Sequence, residues 1–312
     1  MLIRDLRAAD IPQLFPLLDR HFPEEQRLLG WRPTVFNDTL RDLYRWHIQL
    51  VVRLAAAFGR PIYRCFVVET EGHLAATALL TYAPRAGYVS TVMVDDPYRR
   101  RGYARQLLEA AATESRRRRR RFLVLDVLES NAPARRLYES AGFRRLRRQE
   151  FRSLEYATSD LGAAPAPDAV RAPQRADRAS IVRLADEAVP ADVAAVLPMD
   201  TAQLFVRRAV VAGLRSEAEL WVAPRTPPAL GFVRATTSQV MESANLTCPI
   251  LSPALDDRIA DQLVAAAVAW TQGRGARRML CEVPDTNERA RALLARAGFT
   301  VPFATLTLVR EL

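Results

Sequence analysis

Tyr88-Val89-Ser90-Thr91-Val92-Met93-Val94, then Asp95-Asp96-Pro97-Tyr98, then Arg99-Arg100-Arg101-Gly102-Tyr103-Ala104, is the stretch on which the reading of this sequence turns. Its first seven residues are apolar and β-branched enough for a strand, and Asp-Asp-Pro ends it. From Arg105 through Leu107, Leu108 and Ala111 the apolar spacing becomes helical. A strand, a glycine loop and a helix in this order gather backbone N–H groups at a helix N-terminus, where the dipole also favours anions. Gly102 lets the main chain come close to a ligand, and small Ala104 keeps the helix start uncrowded. The loop therefore reads as a cradle for phosphate oxygens, with arginines on its rim. Glycine turns before helices are common, however, and the loop alone decides nothing.

Further on come a second apolar strand, Phe122-Leu123-Val124-Leu125-Asp126-Val127-Leu128, and then Asn131, Ala134, Leu137, Tyr138, Ala141, Gly142 and Phe143. The two pieces together resemble the GCN5-related N-acetyltransferase (GNAT) family. Its phosphate-loop signature, Gln/Arg-x-x-Gly-x-Gly/Ala, is matched by Arg99 to Ala104. Its following strand and helix carry an Asn near the strand end and a Tyr seven residues on, matched by Asn131 and Tyr138. Ala104 stands where a second glycine is commoner, which the signature permits, and Pro97 falls one place later than in many members.

The resemblance implies an α/β (α+β) fold: a mixed, mostly antiparallel sheet with helices on both faces and a splay between two central parallel strands. It also implies direct transfer of an acetyl group from acetyl-CoA, as co-substrate, to an amine. On that reading the main chain of Arg101, Gly102, Tyr103 and Ala104 holds the pyrophosphate, with Arg99 and Arg100 beside it. Exposed main chain around Met93 and Val94 pairs with the pantetheine arm, and Asn131 hydrogen-bonds near the thiol end. Tyr138 is the candidate general acid toward the leaving thiolate. Asp126 is the candidate base, because an acid inside an apolar strand asks for a reason. Leu125-Asp126-Val127 with Asn131 is similar to the Leu-Glu-Val segment of ribosomal-protein alanine acetyltransferases, where the acid serves as base. Glu69, Glu129 and a water chain are the other options for that role.

The chain has 312 residues, room for two domains, with 49% hydrophobic and 26% charged residues, the balance of a globular protein. The longest apolar stretch, Leu263 to Trp270, is far short of the ~20 residues a membrane span needs. The first residues, Met-Leu-Ile-Arg-Asp, carry charge where a signal peptide needs an apolar core. Three widely spaced cysteines (Cys65, Cys248, Cys281) suggest reduced thiols in a cytoplasmic protein, and no zinc-like spacing joins them to the histidines. The net charge of +10 suits a polyanionic co-substrate. The densest basic run, Arg116 to Arg121, is read as the solvated end of a helix rather than a nucleic-acid patch.

Leu2 to Leu6 reads as a strand, with Ala9-Asp10 as the cap of a helix bearing Ile11, Leu14, Phe15, Leu17 and Leu18. Phe22 to Phe58 reads as a long helical region with Trp31, Phe36, Tyr44, Trp46 and His47, the part that shapes the acceptor site in the family. Tyr63 to Glu69 and His73 to Tyr82 form a hairpin over Glu71-Gly72. Two short strands, Phe143 to Leu146 and Glu150 to Tyr156, are expected to close a catalytic domain over 1–157, with a Pro-rich linker at 158–169.

Residues 170–312 repeat the first half. Val170-Arg171 before Ala176-Asp177 echoes Ile3-Arg4 before Ala9-Asp10, and Asn287, Leu293, Ala297, Gly298 and Phe299 echo Asn131 to Phe143 at an offset of 287 − 131 = 156. At the same offset Arg99 becomes Leu255, Arg100 and Arg101 become Asp256 and Asp257, Gly102 becomes Arg258 and Tyr138 becomes Leu294. The second domain is thus expected to keep the scaffold without the chemistry, and the repeat to act as an internal pseudo-dimer in a monomer. The acceptor amine belongs to a small molecule, a protein N-terminus or a thiol-containing precursor. The alternative is a non-catalytic module that senses CoA or binds nucleic acid or protein, against which Tyr138 speaks.

Overall fold

The computed structural model describes residues 2–23, 26, 30, 38, 41, 42, 44–57, 62–156, 168–211 and 214–312. Trp31, Phe36, the turn at 59–61 and residues 158–167 of the expected linker lie outside them. The first half runs β1 (Leu2–Asp5), α1 (Ile11–His21), α2 (Trp46–Ala57), β2 (Tyr63–Thr70), β3 (His73–Tyr82), β4 (Ala86–Val94), α3 (Tyr103–Arg117), β5 (Phe122–Leu128), α4 (Ala132–Ser140) and β6 (Arg144–Glu155). The second runs α5 (Arg178–Glu187), α6 (Ala191–Val196), β7 (Arg208–Val211), β8 (Leu214–Ala223), β9 (Gly231–Ser238), β10 (Ser243–Leu246), β11 (Ile250–Leu251), α7 (Asp257–Gln272), β12 (Arg278–Pro284), α8 (Glu288–Arg296) and β13 (Thr300–Glu311).

Glu71 and Gly72, with φ of 53° and 77°, make the two-residue turn that matches strand twist in the β2–β3 hairpin. Period-two alternation then sorts the sheet's faces. Phe66 and Val68 pack with Leu107, Leu108 and Ala111 of α3, while Val67 packs with Leu14 and Leu18 of α1. Helices therefore cover both faces. In the second half α7 packs with Val233 and Ala235 on one face, and α5 packs with Val222 and Phe232 on the other. Fully buried side chains such as Leu107, Leu108, Phe232 and Leu263 each contribute about 1.5–3 kcal/mol.

The Arg/Asp echo has a structural cause. Arg4 grips Asp10 with two hydrogen bonds of 2.6 and 2.8 Å, and Asp10 also accepts from the Arg7 N–H at 2.7 Å. Arg171 grips Asp177 in the same way, and Asp177 accepts from the Gln174 N–H at 2.7 Å. Asp10 thus holds the expected N-cap position of α1, but its carboxylate fastens a short turn to β1 instead of accepting a helix N–H.

Among the described residues the two halves share one 13-stranded sheet in the order β1-β2-β3-β4-β5-β13-β6-β12-β10-β9-β8-β7, with β11 paired to β9. Where two short strands are expected after Phe143 there is one strand of 12 residues, β6. Its sequence, Arg-Arg-Leu-Arg-Arg-Gln-Glu-Phe-Arg-Ser-Leu-Glu, offers no Gly or Pro at which to turn. Both neighbours of β6, β13 and β12, come from the second half, and β13 also pairs with β5. The last strand of the chain completes the sheet of the first half.

Among the described residues only β4–β5 and β10–β12 are parallel. The β4–β5 register runs from Ala86↔Phe122 to Val89↔Leu125 and ends there. Just beyond, the β3–β4 register slips between Thr77 and Leu79, and Thr91 adopts φ 53°. A β-branched residue in that region costs on the order of 1–3 kcal/mol, and such a bulge turns the strand edge away from its neighbour. The expected splay is present.

Candidate active site

The loop between β4 and α3 begins with Asp95, whose side chain accepts from the Asp96 N–H. Arg100 and Gly102 both take left-handed conformations, with φ of 64° and 80°. Gly102 is the N-cap of α3 and has no side chain to occupy the first N–H groups of the helix. A Cβ built on Gly102 would come no nearer than 3.9 Å to Gln106, so the conformation rather than crowding favours glycine. Arg99 pairs with Asp96 at 2.8 Å, and Arg101 lies over the Tyr98 ring, 5.4 Å from its centre. Tyr103 is buried and Ala104 half-buried, which leaves their main chain as their contribution to the loop.

Beyond Val89 and Leu125 the separated strands open a cavity of about 350 Å³. Ser90, Thr91 and Val92 form one edge and Asp126, Val127 and Leu128 the other, with Asn131 just before α4 and Ala134 and Tyr138 on it beside them. Met93 does not reach it. Its side chain is buried in the core under α1, and Val94 packs against the α3 core.

Asn131 caps α4 by accepting the Ala134 N–H at 3.1 Å, so its amide N–H groups are the part suited to a ligand. Tyr138 is buried and meets Phe143 edge-on, with ring centres 6.0 Å apart. Burial pushes its hydroxyl up to about 12. Asp126 is fixed by two hydroxyl donors, Tyr88 through its phenol and Thr307 at 2.6 Å. Burial, and then the Asp126 charge, raise the Tyr88 phenol above its ordinary range, so it remains a donor. The other two candidate acids are committed elsewhere. Glu69 pairs with Arg4 at 2.7 Å, and Glu129 pairs with Arg148 at 2.8 Å, which holds Glu129 below the usual carboxylate range.

The Arg116–Arg121 run is mostly exposed, with Arg117, Arg118 and Arg120 also tied to neighbours. Buried Glu114 receives Arg118 at 2.9 Å, Arg117 at 3.3 Å and Arg64 at 2.7 Å, and Arg120 donates to the Pro84 carbonyl at 2.7 Å. Among the described residues no group of three or more His, Cys, Asp or Glu side chains could hold a metal ion. No helix among them is long and apolar enough to cross a membrane.

The second half has a corresponding cleft of about 340 Å³, lined by Cys248, Glu282 and Asn287 together with Arg145, Arg147 and Arg148 of β6. Asn287 caps α8 through the Ala290 N–H at 3.0 Å, as Asn131 caps α4. The helix start differs. Asp256 caps α7 by accepting the Arg258 N–H at 2.8 Å, Leu255 is buried, and Arg289 binds Asp257 at 2.8 Å and the Ser252 carbonyl at 2.6 Å.

Residues 25–143 match the model of the acetyltransferase (GNAT) family. The whole chain is similar to a solved tandem GNAT protein from the clavulanic acid biosynthesis pathway, at 18% identity over 99% of this chain and 98% of that one, with a TM-score of 0.66. Its fold is that of a tandem GNAT protein, and part of its first half matches the GNAT family model. A GCN5-related N-acetyltransferase of Sphaerobacter thermophilus is similar at 17% identity, covering 99% of this chain and 95% of that one, with a TM-score of 0.62. Comparison with curated protein sequences returns no match.

The GNAT reading of the sequence leaves out part of this cavity. Phe22, Phe151, Glu282, Phe303 and Thr305 also line it, and Glu282, Phe303 and Thr305 come from the second half. They arrive there because β13 and β12 flank β6, a pairing that no local pattern reveals. Glu282 stands at the position of Asp126 in the repeat, at the same offset of 156. Their settings differ: Asp126 lies opposite Thr307, which hydrogen-bonds it, whereas Glu282 lies opposite Phe151, which cannot.

Proposed function

We propose that this tandem GNAT protein is an acetyl-CoA-dependent N-acetyltransferase acting on a primary amine. Its single working site is built on residues 1–157, and residues 170–312 form a non-catalytic partner that borders the same cavity. The observation that carries this reading is the cavity where β4 and β5 part, with the protonated phenol of Tyr138 in its wall. The uncapped start of α3 suits a pyrophosphate, since its free N–H groups and dipole both favour an anion. Acetyl-CoA, when bound, supplies the acyl group as a thioester.

The chain's residues then have distinct tasks. Main chain of Arg101 to Ala104 binds phosphate, and the strand edge at Ser90 to Val92, continuing to Met93 and Val94, aligns the acyl arm. The amine nitrogen attacks the carbonyl carbon, the C–S bond breaks, and the electron pair leaves on sulfur. Tyr138 gives its hydroxyl proton to that sulfur, and the proton lost by the amine passes toward Asp126. A phenol pushed up to about 12 stays protonated across the working range, so Tyr138 contributes no alkaline limb below about pH 11.

Amine-dependent release of the free thiol, measured across a set of primary amines, tests this. Tyr138→Phe is expected to lower kcat by about 10²–10⁴-fold while leaving acetyl-CoA affinity unchanged. Equal turnover by the two proteins would remove Tyr138 from the chemistry.

A further inference from the structure

The cavity is acidic in a basic protein. Its lining contains Asp126 and Glu282 but no Lys, Arg or His, although the chain carries a net charge of +10. Asp126 already has a hydroxyl on each carboxylate oxygen. Among the described residues the Glu282 carboxylate has neither a hydrogen bond nor an ion pair. Burial raises its proton affinity above the ordinary carboxylate range, the Asp126 charge raises it further, and Arg147 on β6 tempers the effect. Arg147 itself donates to Thr307 at 3.3 Å and lines the second half's cleft, which Glu282 also borders, but not this cavity. Both acids stand on the open side of their strands and face the one cavity, and two carboxylates so placed are relieved by a cation between them.

Shape adds a second constraint. The Phe151 and Phe303 rings stack with centres 4.5 Å apart and planes 19° from parallel, and Phe22 stands on another wall. Such a surface fits a flat or apolar body better than a polyhydroxylated one.

We propose that the second half makes the far wall of the acceptor pocket, and that Glu282 is the charge partner selecting a cationic amine whose apolar body lies against Phe151 and Phe303. This rests on reading the cavity as the acceptor side of an N-acetyltransferase. It gives residues 170–312 a task that the loss of their own phosphate loop does not remove, and it predicts rejection of amines carrying a neighbouring carboxylate.

The test uses the full chain saturated with CoA, so that binding is read without turnover, and three probes: phenethylamine, 2-phenylethanol and phenylalanine. Calorimetry is expected to find phenethylamine bound at least tenfold tighter than either analogue. Glu282→Gln should weaken phenethylamine at least tenfold and bring it within about twofold of 2-phenylethanol. Glu282→Asp should retain most of the preference, and CoA affinity and melting temperature should be unchanged in both variants. Equal phenethylamine affinity in wild type and Glu282→Gln, or no preference for the amine in wild type, would overturn the assignment. The CoA titration separates the two levels: CoA bound without amine preference removes only the role of Glu282, whereas no CoA binding removes the N-acetyltransferase reading itself.

Discussion

Two helix starts built on one scaffold have become chemical opposites. Before α3, Gly102 sits in a left-handed conformation and offers no side chain, so the first N–H groups face outward. Before α7, Asp256 places its own carboxylate on the Arg258 N–H, Leu255 is buried, and Arg289 binds the loop from α8. The second helix start has been given an internal anion where the first is left for an external one. A helix N-terminus needs a partner in either case, and whether the chain supplies it decides whether the site is structural or can take a ligand.

The largest expected effect tests whether the halves are separable at all. Removing residues 300–312 deletes β13, which lies between β5 and β6. The lost burial of Leu306, Leu308 and Val309, at about 1.5–3 kcal/mol each, is comparable to the whole stability of a domain. The truncated chain should lose its cooperative melt and all acetyl transfer, although every cut residue lies outside the first half. Retained melting and activity would mean that the shared sheet does not hold the first half together.

A smaller effect separates scaffold from chemistry. Asn131→Ala and Asn287→Ala should each cost about 1 kcal/mol in thermal melts, since both side chains cap helices. Only Asn131→Ala should also weaken acetyl-CoA. Equal effects on the ligand from both would mean that the second cleft participates.

The smallest expected effect is chemical silence. Burial pushes the thiols of Cys65 and Cys248 up to about 11 and about 12, and raises Cys281 as well. At pH 7.5 alkylation should run at least about a hundredfold slower than for free cysteine at all three. Rapid labelling of Cys248, which lines the second cleft, would mean that this half retains reactive chemistry.

Much of this comparison was legible in the sequence, because a phosphate-binding loop and a helix cap are local. Arg99 to Ala104, Asn131 and Tyr138 are close in the chain, and the offset repeat exposed Leu255 to Arg258 as their altered copy. The strand exchange was not legible. β6 reads as any extended segment, and nothing in Arg144 to Glu155 says that its neighbours will be β12 and β13. For the same reason Thr307 beside Asp126, and Glu282 and Phe303 in the cavity, could not be foreseen from the first half alone. The cavity also takes in Ser90 to Val92, ahead of the Met93 and Val94 named from the sequence, and this could not be read there because the bulge at Thr91 depends on pairing with β3 rather than on composition.

The most direct test of one open and one self-capped helix start is calorimetric titration of the full chain with acetyl-CoA, on wild type and Gly102→Glu. A carboxylate at the left-handed N-cap should both strain the loop and repel phosphate. The account predicts one site per chain in wild type and none in the variant. Two sites in wild type, or an undiminished site in Gly102→Glu, would contradict it.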